Sequence, residues 1–331
     1  FSGKQVFNKQ LSINRDLELD QAFSSLGEGD TGAVLVISEP LGGKSHFVES
    51  LLQRIKPPKI YRIAPPKYGI DATSNLLETF QKATKIEGNY FKIMNSLPEG
   101  TTFVFSKLEL WWLRKNGGGK HIDQLVWLIE RYGAQHNFVL TMNNFAYDLV
   151  RQVTKLDSIL SATIILPPVN SNELAELMYE RHQLAGVQIS WASKEDKILT
   201  KRELIKHFEK FCQAANGNIG VALISWLGSI EKFENETVVV RPFKSIKLPA
   251  RLPGPWSVLL THLVLHDRLH LNNIIDIFHL QDKTTVNGVI KELKYTKFIM
   301  EVSKNTFAVE PCVSKSIIEE LKNLNYLKKF E

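Results

Sequence analysis

The residues best placed to do chemistry are Pro40, Leu41, Gly42, Gly43, Lys44, Ser45 and His46. They follow an apolar run, Gly32 to Ile37, and precede Phe47, Leu51, Leu52 and Ile55 at helical spacing. A strand that ends in a glycine-containing turn and leads into a helix gathers backbone N–H groups at the positive end of that helix, where they cradle phosphate. In such a turn Lys44 reaches the terminal phosphates and the Ser45 hydroxyl faces magnesium, so residues 40–46 are expected to bind ATP or ADP with Mg2+. One residue departs from the pattern G-x-x-x-x-G-K-[ST]: Ser38 stands where its first glycine should be.

Hydrolysis needs a carboxylate at the end of a neighbouring strand to organise magnesium, and a second one to polarise water. The run Thr101 to Phe105 leads instead into Ser106-Lys107-Leu108-Glu109, which leaves Glu109 as the nearby acid. Two roles stay open for it, activation of water from the first turn of a helix or a solvated acid at a helix start. Asn143, at the tip of the run Asn137 to Met142, either senses the γ-phosphate or caps the helix that starts at Phe145. Arg114 and Arg151 are candidates to act across the interface of a homo-oligomer, whereas Trp111 and Trp112 are expected to pack in the core.

Strand-like runs at 32–37, 59–63, 101–105, 137–142 and 163–166 alternate with helical stretches at 72–95 and 121–133, after a lead-in helix at 10–28. That alternation implies an α/β fold with a mostly parallel sheet covered on both faces. After Pro168 the pattern predicts helices only, at 171–185, 201–215 and 217–233. From Trp256 three helices (256–266, 271–279, 282–296), two short strands and a last helix (312–327) follow the order of a winged helix-turn-helix. The expected domains are a nucleotide-binding unit over 1–168, a helical lid over 169–236, a linker over 237–255 and a winged helix over 256–331.

Hydrophobic residues make up 44% of the 331 and charged residues 23%, the balance of a globular chain rather than a disordered one. The net charge of +6 is too mild to name a partner. Residues 271–331 carry nine lysines against eight acids, a weak footprint for DNA. Cys212 and Cys312 lie in no metal or redox spacing and are expected to be buried thiols. No apolar run is long enough to span a bilayer, so a cytoplasmic setting is expected; the chain opens on Phe1, and what precedes it is left open.

Taken together, Asn14-Arg15 with Glu18, the phosphate loop, the degenerate acid strand, Thr141-Met142-Asn143, the lid and the winged helix resemble AAA+ ATPases of the STAND and origin-recognition type. Leu108 to Arg114, Glu180-Arg181-His182 and Gly217 to Leu227 resemble more narrowly the uncharacterised bacterial ATP-binding proteins of that group. The resemblance implies that Lys44 and Ser45 serve ATP and Mg2+ and that Asn143 is the strand-end sensor. Ser106 stands in the place of its magnesium-organising aspartate. The lid arginine of many relatives is also missing, since Ile219-Gly220 follow Gly217-Asn218. Three functions follow as expectations: an ATP-operated switch with slow hydrolysis that acts on a protein through the winged helix, a DNA-binding ATPase, or an inactive scaffold with a degenerate phosphate loop.

Overall fold

The structure is a computed structural model that describes residues 13–328 except 29–31, 68, 71–74, 193, 235, 245–247, 250, 251 and 279–282. The first residues expected in the lead-in helix, 10–12, lie outside the described residues.

Five parallel strands form the central sheet: β1 (Ala33–Ser38), β2 (Ile60–Ile63), β3 (Thr102–Phe105), β4 (Asn137–Asn143) and β5 (Ala162–Ile165). Their order is β2-β3-β4-β1-β5. All six residues of β1 are buried, as a strand covered on both faces requires. Val34 and Val36 pack against Phe47, Val48, Leu51 and Leu52 of α2 (Lys44–Ile55) and Ala22 of α1 (Asp16–Glu28). Burying each large apolar side chain there contributes about 1.5–3 kcal/mol, which fixes α2 and with it the loop that precedes it. Alternation sends Ala33, Leu35 and Ile37 to the opposite face, with Phe103, Phe105, Phe138 and Leu140. The remaining helices of this part are α3 (Leu76–Thr84), α4 (Tyr90–Asn95), α5 (Lys120–Tyr132) and α6 (Asn144–Val153).

The segment after Pro168 differs from expectation. Alongside α7 (Ser171–Leu184), α8 (Lys201–Ala214) and α9 (Ile219–Leu227) it contains β6 (Gln188–Trp191), β7 (Lys194–Ile198), β8 (Ile230–Glu234) and β9 (Thr237–Val240). They form a four-stranded sheet in the order β7-β6-β9-β8. The helix expected over 217–233 ends at Leu227, where Gly228 follows, and its last residues belong to β8. Thr237–Val240, expected as a β-like piece that opens the linker, is a strand paired with β6 and β8. Strands of four or five residues are too short to show a period, and β6 finds its parallel partner β9 about one helical hairpin further along the chain. A separate core of Leu174, Met178, Phe208, Phe211 and Trp226 holds this segment, expected as a lid, together. Its α8 opens with a capping box in which Thr200 and Glu203 satisfy each other's backbone N–H groups.

The C-terminal module comprises α10 (Gly254–His266), β10 (Leu269–His270), α11 (Leu271–Ile277), α12 (Lys283–Tyr295), β11 (Ile299–Ser303), β12 (Thr306–Val309) and α13 (Pro311–Asn323). Its strands form a small sheet in the order β10-β12-β11. Leu259, Leu263, Ile317 and Leu321 belong to the same buried cluster as Leu35, Ile37 and Phe105, so the module shares a core with one face of the central sheet. Among the described residues no helix is long and apolar enough to cross a membrane.

Candidate nucleotide site

The loop between β1 and α2 turns at Gly43, whose φ of 94° favours glycine, and at Leu41, whose φ of 65° does not suit a branched side chain. Ser38 has no positive φ, so a glycine is not needed there, and its hydroxyl has a role of its own. The Lys44 ammonium donates to the Ser38 carbonyl, the Ser38 hydroxyl and the Glu39 carbonyl, each at 3.1 Å. Enclosure of that ammonium lowers its pKa to about 8; the carboxylates of Glu109 and Asp267 oppose the shift and Lys107 adds to it. No side chain caps the N-terminus of α2, and Ser45 on its first turn is exposed. An uncapped helix start, a lysine and a hydroxyl are the donor set that a Mg2+-bound phosphate chain requires. Pro40, Leu41 and Gly42 complete the loop, and His46 is partly buried beside Arg181, with its pKa lowered mainly by burial.

The parallel register places Ser38 opposite Asn143. Glu109 reaches the same place from a 3-10 turn over Leu108–Leu110 and is 3% exposed, which corrects the expectation of a solvated acid at a helix start. The apolar neighbours Leu108, Leu110 and Trp111 bury that turn, and the Glu109 carboxylate accepts the Asn143 N–H at 3.2 Å. Burial pushes the Glu109 pKa up, with Lys44 the main opposing influence. Asn143 caps α6, its side-chain oxygen accepting the Ala146 N–H at 2.7 Å, while its amide donates to the carbonyls of Val264 at 3.3 Å and Leu265 at 3.0 Å. The Asn143 side chain is thus engaged at both ends, and its amide meets two carbonyls near the end of α10. Arg114 is exposed; Arg151 pairs with Asp148 and lies over the Tyr147 ring. Trp111 and Trp112 are buried as expected, and Trp112 lies 4.8 Å from the His266 ring.

Two parts of the chain close on the loop. From the lid, the Asn218 amide donates to the Pro40 carbonyl at 2.8 Å and the Gly220 N–H to the Leu41 carbonyl at 3.1 Å. Gly220 permits this contact, because a Cβ there would stand 2.6 Å from the Leu41 Cβ. From the C-terminal module, Asp267 pairs with Lys107 at 2.7 Å, and Lys315 and Lys322 reach the Glu39 carboxylate at 3.2 and 3.4 Å. Asp267 sits at φ 60°, ψ −45°, the centre of a γ-turn closed by the Arg268 N–H on the His266 carbonyl. This turn is rare and strained, at a cost of order 1–3 kcal/mol. Glu39, Asp267, Lys315 and Lys322 escaped sequence reasoning. An acid inside a phosphate loop was a visible signal; its partners 276 and 283 positions away were not.

The five-stranded parallel sheet, with a helix that follows the loop after β1, gives the chain a mixed α/β fold that it shares with solved structures. Among solved structures the chain is similar to Cdc6p from Pyrobaculum aerophilum, with a TM-score of 0.51 at 11% identity over 97% of each chain. It is also similar to the ORC2 protein of Aeropyrum pernix in ADPNP–ADP complexes, with a TM-score of 0.47 at 12% identity over 97% of this chain and 96% of that one. A Walker-type ATPase of Pyrococcus abyssi gives a TM-score of 0.46 at 14% identity over 96% of this chain and 99% of that one. No protein-family model and no curated protein matches the chain. Likeness at these identities concerns the fold alone.

Proposed function

We propose that this protein is an ATP-binding molecular switch of the STAND type, in which nucleotide state sets how a C-terminal winged helix sits on the site. Residues 40–46 hold the nucleotide: Lys44 exchanges its neutral oxygen partners on Ser38 and Glu39 for phosphate, and Ser45 turns its exposed hydroxyl to Mg2+. The observation that carries the reading is that the C-terminal module bonds to the site's own residues. Asp267 holds Lys107, the end of α10 holds Asn143, and α13 holds Glu39. A ligand that favours different partners for these groups shifts the equilibrium between two seats of the module.

Hydrolysis on this reading is slow. Glu109, buried beside Lys44, is the carboxylate available to polarise water, while Ser106 brings a hydroxyl where the magnesium shell needs a charge. The output surface is the exposed side of α12, where Tyr295 is 90% exposed and Lys294 is held by Glu301 at 2.6 Å. The near balance of nine lysines and eight acids over residues 271–331 favours a protein partner. DNA is the second reading, supported by the exposed Lys283 and Lys291 on that helix.

Calorimetry with ATP and ADP, with and without Mg2+, on the parent and Lys44→Ala tests the site. The switch predicts binding that Lys44→Ala abolishes, with little phosphate released. Absence of binding by the parent leaves the scaffold reading.

A further inference from the structure

Two lysines of α13 converge on one carboxylate of the phosphate loop. Lys315, 8% exposed at its side chain, meets both oxygens of Glu39 at 3.2 Å, and Lys322 meets one at 3.4 Å while lying over the Phe145 ring at 5.1 Å. Among these three residues one positive charge is left over. The Glu39 carbonyl accepts from the Lys44 ammonium at 3.1 Å, so the cluster borders the lysine that binds phosphate. A burial this deep is costly for an ammonium unless its counter-charge is close, and a phosphate oxygen serves that purpose as well as a carboxylate.

Around Lys44 the acids outnumber the other cations. The carboxylates of Glu109, Asp267 and Glu39 all act on Lys44, against one further cation, Lys107, which Asp267 already holds. Asn218, Ile219 and Gly220 touch Pro40, Leu41 and Gly43 without bringing a charge, and a cation of that segment, Arg181, stands beside His46. An acidic residue in a loop that receives several negative charges is tolerable only if it is neutralised, and Lys315 and Lys322 do this from outside the domain.

We propose that Lys315 and Lys322 are ligands for the terminal phosphate of a nucleoside triphosphate, held in register by Glu39 until it arrives. This rests on the nucleotide-binding reading above and adds to it a means by which the C-terminal module tells triphosphate from diphosphate. The α13 side of the module stays against the loop while its α10 end changes partners, so the module pivots rather than detaches.

The test measures the affinities of AMP-PNP and ADP, both with Mg2+, by calorimetry on the full chain. Lys315→Met with Lys322→Met keeps the side-chain stems and removes both charges. It is expected to weaken AMP-PNP by about tenfold or more, the effect of losing a modest charge-assisted contact, while ADP changes by less than about threefold. Glu39→Gln releases the lysines and is expected to raise the preference for AMP-PNP over ADP several-fold. It also serves if the double variant does not fold. A parent that binds both nucleotides, with a preference unmoved in either variant, overturns this proposal and leaves the nucleotide site intact. A parent that binds neither overturns both.

Discussion

At the scale of single residues the site turns on Lys44 and Asn143. With a pKa near 8, Lys44 is charged at neutral pH and loses its proton just above it. Phosphate binding needs the charged form, so affinity for ATP is expected to fall as pH rises through 8, by about tenfold for each unit beyond it. Binding at pH 8 is also expected to take up a proton, which calorimetry in buffers of different ionisation enthalpy detects. Asn143 carries two structural duties with one amide, and Asn143→Asp separates them. The carboxylate still accepts the Ala146 N–H and caps α6, but it donates nothing to Val264 and Leu265. The variant is expected to keep its fold within about 1–3 kcal/mol and to exchange its amide hydrogens faster near the end of α10. Unchanged exchange there means that this contact does not hold the module.

Among secondary-structure elements the lid shows how closely the loop is covered. Gly220 has no room for a methyl group against Leu41, so Gly220→Ala is expected to lift the start of α9 from the loop at a cost of about 1–3 kcal/mol. Gly228→Ala, where a Cβ meets nothing closer than 3.5 Å, is the matched control. What the sequence revealed divides at this scale too. The runs around β1 and β4 are long, apolar and bounded by turns, so the central strands and the glycine-containing turn between β1 and α2 were legible. Thr237–Val240 was legible as a β-like piece, whereas β6, its four-residue partner, acquires meaning only when paired, and the sequence carries no sign of that pairing. Glu109 was legible as a candidate, but its contact with α10, through His266 on its carbonyl, joins residues 157 positions apart.

For the whole molecule, the buried histidines His207, His262 and His266 make stability depend on acid. Burial lowers the pKa of His207 and His262 to about 4 and that of His266 to about 3. Each stays neutral in the fold and takes up a proton on unfolding below its ordinary value near 6.5, so stability is complete above that pH and is lost as pH falls toward 4. The slope is about 1.4 kcal/mol per pH unit for each histidine. The melting temperature is therefore expected to drop clearly between pH 7 and pH 5, and His207→Phe, which keeps the ring among Trp191, Phe211 and Trp226, is expected to flatten that drop. His262 and His266 lie on α10, with His266 against Trp112, so part of the acid sensitivity belongs to the seat of the C-terminal module. The contacts of that seat, and the strained turn at Asp267, were beyond sequence reasoning because they join residues 107 and 267, 143 and 265, and 39 and 315.

The central claim is that the nucleotide site and the seat of the C-terminal module are one equilibrium. Amide hydrogen exchange over residues 264–271, with and without saturating Mg2+ and AMP-PNP, measures this directly, with Lys44→Ala as the control. The switch predicts that exchange in this segment changes on adding nucleotide to the parent and stays constant in Lys44→Ala. Nucleotide bound to the parent with no change in this segment would contradict it.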